Sequence, residues 1–339
     1  MPRALITGAT GGIGLQVAKN LSAKGWSLLL VGREGADNRL SRARQEVSSS
    51  SSSSSPVDVQ AIPCDFASLE QVRRAAQATL DTLGSAPLDA VLLNAAVWPA
   101  SVGATVEVGG GGNAANGNTR RLERTLVVNH LSQLLLARLL LPALRRSSSG
   151  GRCVFVSSEL HRSPAPLLPP ATTATTTLLT ALLTQPLPPS TPPRAAYGFS
   201  KLCNVWMARE MQRRELADPP SSRVRFAAAT PGFVPATGLS TQAAGSGAAG
   251  WLFRTIAPWM PGAVSVQEGA RRLELALVGP PEEAQDEGAA GRSALYYSKG
   301  TAVEPSAAAM DDAAAAEAWR LSEELLVGGG GAGGLLAPL

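Results

Sequence analysis

The chain has 339 residues, a formal net charge of +4 at pH 7, and 45% hydrophobic against 17% charged residues. That length can bury a large core, and the basic residues are scattered without Lys/Arg tracts or aromatic–basic interleaving, which argues against a nucleic-acid partner. Three cysteines, Cys64, Cys153 and Cys203, lie far apart and are odd in number, which points to reduced thiols in an intracellular compartment rather than a disulfide framework.

Residues 4–7 read as a short apolar strand and residues 13–24 as a helix, with Ile13, Val17, Ala18 and Leu21 on one face. Between them stands Thr7-Gly8-Ala9-Thr10-Gly11-Gly12-Ile13-Gly14. Glycine costs conformational entropy inside an element, so this cluster implies that backbone must pass close to something else. Gly25 stops the helix, and residues 26–33 read as a second buried strand. Strand, glycine turn, helix and strand make a βαβ unit. In that setting the turn lets backbone approach a pyrophosphate at the helix N-terminus, where free N–H groups and the dipole favour an anion.

The alternation continues. Residues 57–65 read as a strand, 69–83 as a helix, 88–96 as a strand and 122–146 as a helix. Then come a strand at 152–158, a helix at 196–216 and a strand at 223–232. Continuous apolar strands alternating with helices predict an α/β chain: one doubly wound Rossmann-type domain over residues 1–330, with a parallel sheet covered on both faces. Low-complexity insertions at 48–55, 103–118 and 164–193 fall between elements; the first two read as flexible loops. The Gly-rich tail at 331–339 reads as disordered. No apolar run reaches the roughly 18 residues needed to span a bilayer; the richest, at 134–144, carries Arg138 and Pro142 and reads as a buried helix. The expectation is an intracellular soluble chain, cytoplasmic, or plastid should a leader precede Met1.

Tyr197 and Lys201 stand four residues apart and so share one helix face. A phenol with a pKa near 10 is a poor proton exchanger at neutral pH, and a nearby ammonium would lower it. The glycine turn, Cys64-Asp65-Phe66, Asn94-Ala95, Asn129, Ser158, Tyr197 with Lys201, and Thr230-Pro231-Gly232-Phe233-Val234 together resemble the short-chain dehydrogenase/reductase family over nearly the whole chain. Two positions depart from the family pattern: Leu93 stands where it has Asn, and Ala96 where it has Gly. The resemblance implies a dinucleotide held by Thr7, Gly8, Gly12, Ile13 and Gly14, with Asp65 and Phe66 near the adenine, and Asn94 and Ala95 lining its path. It also implies that Pro231, Gly232 and Val234 close on the nicotinamide, and that Tyr197 and Lys201 contact the cofactor as well as catalysing. Ser158 would polarise a carbonyl, and Asn129 would hold a water linking Lys201 to solvent.

Arg33 ends the second strand where NAD-preferring relatives place an acid, so the cofactor expected is NADPH/NADP+; Glu34 should point elsewhere. Within the family the chain resembles the branch that holds retinol dehydrogenases, WW-domain-containing oxidoreductases and light-dependent protochlorophyllide reductases. The expected activity is reduction of a carbonyl, or oxidation of the alcohol, of a bulky apolar small molecule. Its pocket would be lined by residues 233–261, including Trp251, Phe253, Trp259 and Met260. The alternatives are protochlorophyllide-type C=C reduction, in which Cys203 would have a chemical part, and a non-catalytic nucleotide-binding module. His161 reads as a partly exposed loop residue, His130 as a satisfied buried histidine, and Cys203 as packing. No oligomeric state is implied.

Overall fold

Strand β1 (Arg3–Thr7) pairs in parallel with β2 (Ser27–Gly32), with Ile6 opposite Leu30 and Thr7 opposite Val31. Successive side chains face opposite layers: Ala4 and Ile6 enter one core, Leu5 the other. This two-sided burial is why the strands are apolar runs rather than alternating patterns. The computed structural model describes residues 1–51, 57–108, 120–163, 174–217, 223–244, 255–279 and 295–327.

The other sheet strands are β3 (Val59–Pro63), β4 (Ala90–Leu93), β7 (Arg152–Val156), β8 (Arg225–Ala229), β9 (Leu295–Ser298) and β10 (Thr301–Val303). Their spatial order is β10-β9-β8-β7-β4-β1-β2-β3, parallel throughout except for β10. The order reverses between β1 and β4, and in such sheets ligands bind outside the carboxyl ends of the strands at that switch. The two outer strands β9 and β10 carry no sequence reading above, because 295–303 is short and lacks a long apolar run.

Helices α1 (Gly12–Ala23), α2 (Arg39–Ser48) and α8 (Val266–Val278) cover one face. On the other lie α3 (Leu69–Leu83), α4 (Arg124–Arg145), α6 (Pro193–Ala217) and α9 (Asp312–Val327). Local signals set their ends. The Ser68 hydroxyl caps α3 by accepting from Gln71 N, and Gly84 ends it at φ 55. Helix α4 is long and apolar enough to cross a membrane by length and composition, yet it is almost wholly buried inside the fold.

One reading of a low-complexity stretch needs correction, and a second stretch holds an element that the sequence reading did not place. The insertion read as a loop over 103–118 opens with a strand, β5 (Thr105–Val108), which pairs antiparallel with β6 (Arg120–Glu123). Val108 and Leu122 are buried there, so this ribbon packs on the core, and the helix expected from 122 starts only at Arg124. The Pro/Thr-rich stretch likewise contains a helix, α5 (Ala174–Thr184), whose Leu179 and Leu183 are buried against α9. Residues 52–55, 109–118 and 164–173 of these insertions and the 331–339 tail lie outside the described residues.

Candidate active site

The glycine turn is built as its sequence suggests, for reasons visible atom by atom. Gly8 sits at φ 66, and a Cβ there would lie 2.9 Å from both Ala95 Cα and Asn94 Nδ2. At Gly14 a Cβ would meet the Gly8 carbonyl oxygen at 2.5 Å, so helix and strand approach more closely than any side chain allows. Helix α1 begins after Gly11 with no side-chain cap, leaving its first amides free. Thr7 holds the turn from below. Its Oγ1 accepts from Asn94 N (2.8 Å) and Ala95 N (2.9 Å) and donates to Gln133 Oε1 (3.0 Å), while Asn94 Nδ2 donates to the Thr7 carbonyl (3.0 Å).

Above this turn lies a cleft lined by Gly8, Gly12, Ile13, Arg33, Asp65, Phe66, Asn94 and Ala95 among others. Thr7 and Gly14 are buried beneath it. Its far wall is α7 (Gly238–Ala244) with Thr237, and Gln242 on that helix accepts from Trp98 N at 3.2 Å. An uncapped helix end, a cradle that a Cβ would fill, and guanidinium groups at its rim fit a dinucleotide with its phosphates on α1. Two arginines in that rim escaped the sequence reading. Arg39 sits beside Arg33 and is held bidentately by Asp37 (2.9 Å from Nη2); Arg124 lines the cleft from the start of α4. Glu34 shares the recess with Arg33, but its carboxylate accepts from Ser41 N at the start of α2 (3.4 Å).

The reactive side chains expected from the sequence lie deeper. Asn129 sits in a π-helical turn, Val127–Leu131, a widening that is frequent at functional sites. Its Oδ1 accepts from Val97 N (2.8 Å), and its Nδ2 donates to the Val97 carbonyl (3.0 Å) and to Ser200 Oγ (3.1 Å). The Ser200 hydroxyl donates in turn to the Tyr197 carbonyl (2.7 Å). Asn129 therefore ties the cleft wall to the Tyr197 helix, with both hydrogens of its amide nitrogen taken by protein acceptors.

Lys201 is buried, and its Nζ donates to the Val156 carbonyl at the end of β7 (2.9 Å) and lies 5.5 Å from the Tyr197 ring centroid. Burial pushes the ammonium down to about 7 and pushes the Tyr197 phenol up. The expectation that Lys201 brings the phenol below its ordinary value is not met in this arrangement, where desolvation sets the direction for both groups. Trp98, also missed, covers Tyr197 with ring centroids 4.6 Å apart.

The two serines after β7 divide their tasks. Ser157 Oγ donates to the Lys201 carbonyl (2.8 Å), whereas Ser158 Oγ accepts from Leu160 N (3.3 Å) at the start of a 3-10 turn, Glu159–Arg162. The Ser158 hydroxyl hydrogen stays available for another acceptor. Gly198, directly after Tyr197, makes room for that turn, since a Cβ there would lie 2.8 Å from the Leu160 carbonyl oxygen.

Pro231, Gly232 and Val234 form a loop beside Ile13 and α8. Gly232 has φ 89, and Gly269 of α8 admits Val234 and Pro231 against it. Phe233 bridges to Ala263. Trp259 is 87% exposed and Met260 also exposed, so they do not line a closed pocket, and Trp251 and Phe253 lie outside the described residues. The histidines differ from expectation too. His161 is buried with both ring nitrogens bonded, not partly exposed. His130 is buried, with Nε2 on Ser322 Oγ (2.9 Å), but its Nδ1 has no partner among the described residues.

The chain belongs to the short chain dehydrogenase family, whose model matches residues 2–187. It is 32% identical over 321 residues to polyprenol dehydrogenase of Mus musculus, covering 93% of this chain and 81% of that protein. To WW domain-containing oxidoreductase of Gallus gallus it is 32% identical over 213 residues, 62% of this chain and only 44% of that relative. Protochlorophyllide reductase A of Arabidopsis thaliana is more distant, at 27% over 81% of this chain and 65% of that one. A solved structure of an uncharacterised protein from Mycobacterium paratuberculosis shares the fold, with a TM-score of 0.61, 24% identity, and coverage of 96% and 94%.

Proposed function

We propose that this chain is an NADPH-dependent reductase acting on the carbonyl group of a bulky apolar molecule. The observation that carries the reading is the buried Tyr197, whose phenol desolvation keeps protonated beside Lys201 and near the Ser158 turn. NADPH held over the glycine turn by Gly8, Gly12 and Ile13 would supply a hydride for the carbonyl carbon. As the C=O π bond breaks, the oxygen takes its proton from Tyr197, and a phenol held neutral is the state that donation needs. Ser158 would donate its free hydroxyl hydrogen to the same oxygen. Lys201, titrating near neutral pH, would return a proton to the tyrosine. In the oxidative direction the phenol must first ionise, which its burial opposes.

Arg33 and Arg39 at one end of the cleft support a 2′-phosphate on the cofactor. The name of the mouse relative, a polyprenol dehydrogenase, supports an apolar alcohol or carbonyl as the substrate class. The C=C reduction alternative loses its second functional group: Cys203 is buried in the core, with burial pushing its thiol up. The test is NADPH consumption in darkness against apolar aldehydes, ketones and retinoids, with protochlorophyllide assayed in light and dark. Tyr197→Phe should lower turnover at least tenfold, about 1.4 kcal/mol of barrier, with NADPH affinity within about twofold. Activity confined to illuminated protochlorophyllide, or tight cofactor binding without turnover on the whole panel, would overturn the proposal.

A further inference from the structure

We propose that His161 is a positioning residue for Ser158, clamping the serine turn to the segment after β10 and, through it, to the helix that carries Tyr197. The inference rests on the reading of Ser158 as the group that polarises the substrate carbonyl.

Hydrogen-bond direction dictates one state of the ring. His161 Nε2 lies 3.1 Å from Ser306 N, and a backbone amide can only donate, so Nε2 is the bare nitrogen. The hydrogen therefore sits on Nδ1, which donates to the Ser158 carbonyl at 2.7 Å. The ring is fully buried and packs on Tyr296 of β9 with centroids 4.8 Å apart, and burial lowers its pKa, so the neutral form prevails. An imidazolium would set a second N–H against the Ser306 amide.

The same turn is anchored at its exposed edge. Glu159 accepts from Ser298 Oγ (2.8 Å) and from Arg162 Nε (3.0 Å), and Arg162 Nη2 donates to the Glu304 carbonyl (2.8 Å). Ser306 is itself the cap of a 3-10 turn, Ala307–Met310, and the Ala308 carbonyl in that turn accepts from Trp206 Nε1 on α6 at 2.9 Å. A closed circuit results: Ser158 carbonyl, His161, Ser306, Ala308, Trp206, and back along α6 to Tyr197. With Gly198 allowing the turn to touch α6 directly, the serine and the tyrosine are referenced to one helix from two sides. The Ser158 hydroxyl takes its orientation from Leu160 N within this turn, so loosening the turn misdirects the hydroxyl without removing it.

The experiment compares His161→Phe, which keeps ring volume and the Tyr296 contact but loses both hydrogen bonds, with His161→Gln, whose amide can donate to Ser158 and accept from Ser306. His161→Phe should lower kcat about tenfold or more while the NADPH dissociation constant, read by protein fluorescence, stays within about twofold. His161→Gln should recover kcat to within about threefold of the original. In a Ser158→Ala background, His161→Phe should cost nothing further, because the two act on one interaction. A second measurement needs no variant and no turnover: 15N NMR of the intact chain should show the Nδ1–H tautomer at pH 7. Full kcat in His161→Phe, multiplicative losses in the double variant, or an Nε2–H tautomer would overturn the clamp. Wild-type kcat in Ser158→Ala alone would instead overturn the reading beneath it.

Discussion

Replacing Thr7 by Val changes the shape of the glycine turn's anchor hardly at all and removes its oxygen. That oxygen is saturated: it accepts from Asn94 N and Ala95 N and donates to Gln133 Oε1, all at 2.8–3.0 Å and with Thr7 fully buried. The Val variant strands two amides and one carbonyl where water does not reach. Each stranded group costs about 1–3 kcal/mol, so three of them cost about 3 kcal/mol or more, over a hundredfold in the folding equilibrium. Thr7→Ser is the matched control, since it keeps the hydroxyl and loses one buried methyl, worth about 1 kcal/mol. Guanidinium unfolding of the three chains should therefore rank wild type, Ser and Val in falling stability, with Val at least about 2 kcal/mol below Ser. Because the stranded amides belong to the Asn94–Ala95 wall of the cleft, NADPH should also bind the Val variant more weakly than the Ser one. A Val variant as stable as the Ser variant would show that the turn is held by glycine packing alone and refute the argument.

Gly198→Ala should be destabilising by about 1 kcal/mol or more and slow turnover, because a Cβ 2.8 Å from a backbone oxygen outweighs the helix-propensity gain of alanine; unchanged melting and kcat would contradict it. Burial drives His130 down to about 3, below its ordinary 6.5, so the unfolded chain binds the extra proton between those values. Stability should accordingly be lost as pH falls from about 6.5 towards 3, and His130→Phe should flatten that slope in acid-unfolding curves. Arg33→Ala should reduce an NADPH preference of at least about tenfold towards parity with NADH, and Arg39→Ala should do so in part; equal binding of both cofactors by the unmutated chain counts against the assignment.

Local rules made the core of this protein legible before any coordinates. The βαβ unit at the N-terminus follows from an apolar run, four glycines and a 3.6-residue period, all of them short-range. The parallel sheet followed because strands buried on both faces must be apolar throughout, as β1, β2 and β4 are. Tyr197 and Lys201 were found together because four residues is one helical turn. What sequence reasoning missed depends on contacts between distant segments or on solvation. His161 looked exposed until Ser306, 145 residues away, and Tyr296 enclosed it. Trp98 faces Tyr197 only because the loop after β4 meets α6 from a distant part of the chain, and the ribbon of β5 and β6 hid behind the Gly/Asn-rich segment that separates its strands. The charge states depend most on tertiary structure. Spacing alone says that an ammonium near a phenol lowers its pKa, but only the packed interior reveals that both groups are stripped of water. There desolvation, a property of everything around the pair, pushes the phenol up and the ammonium down.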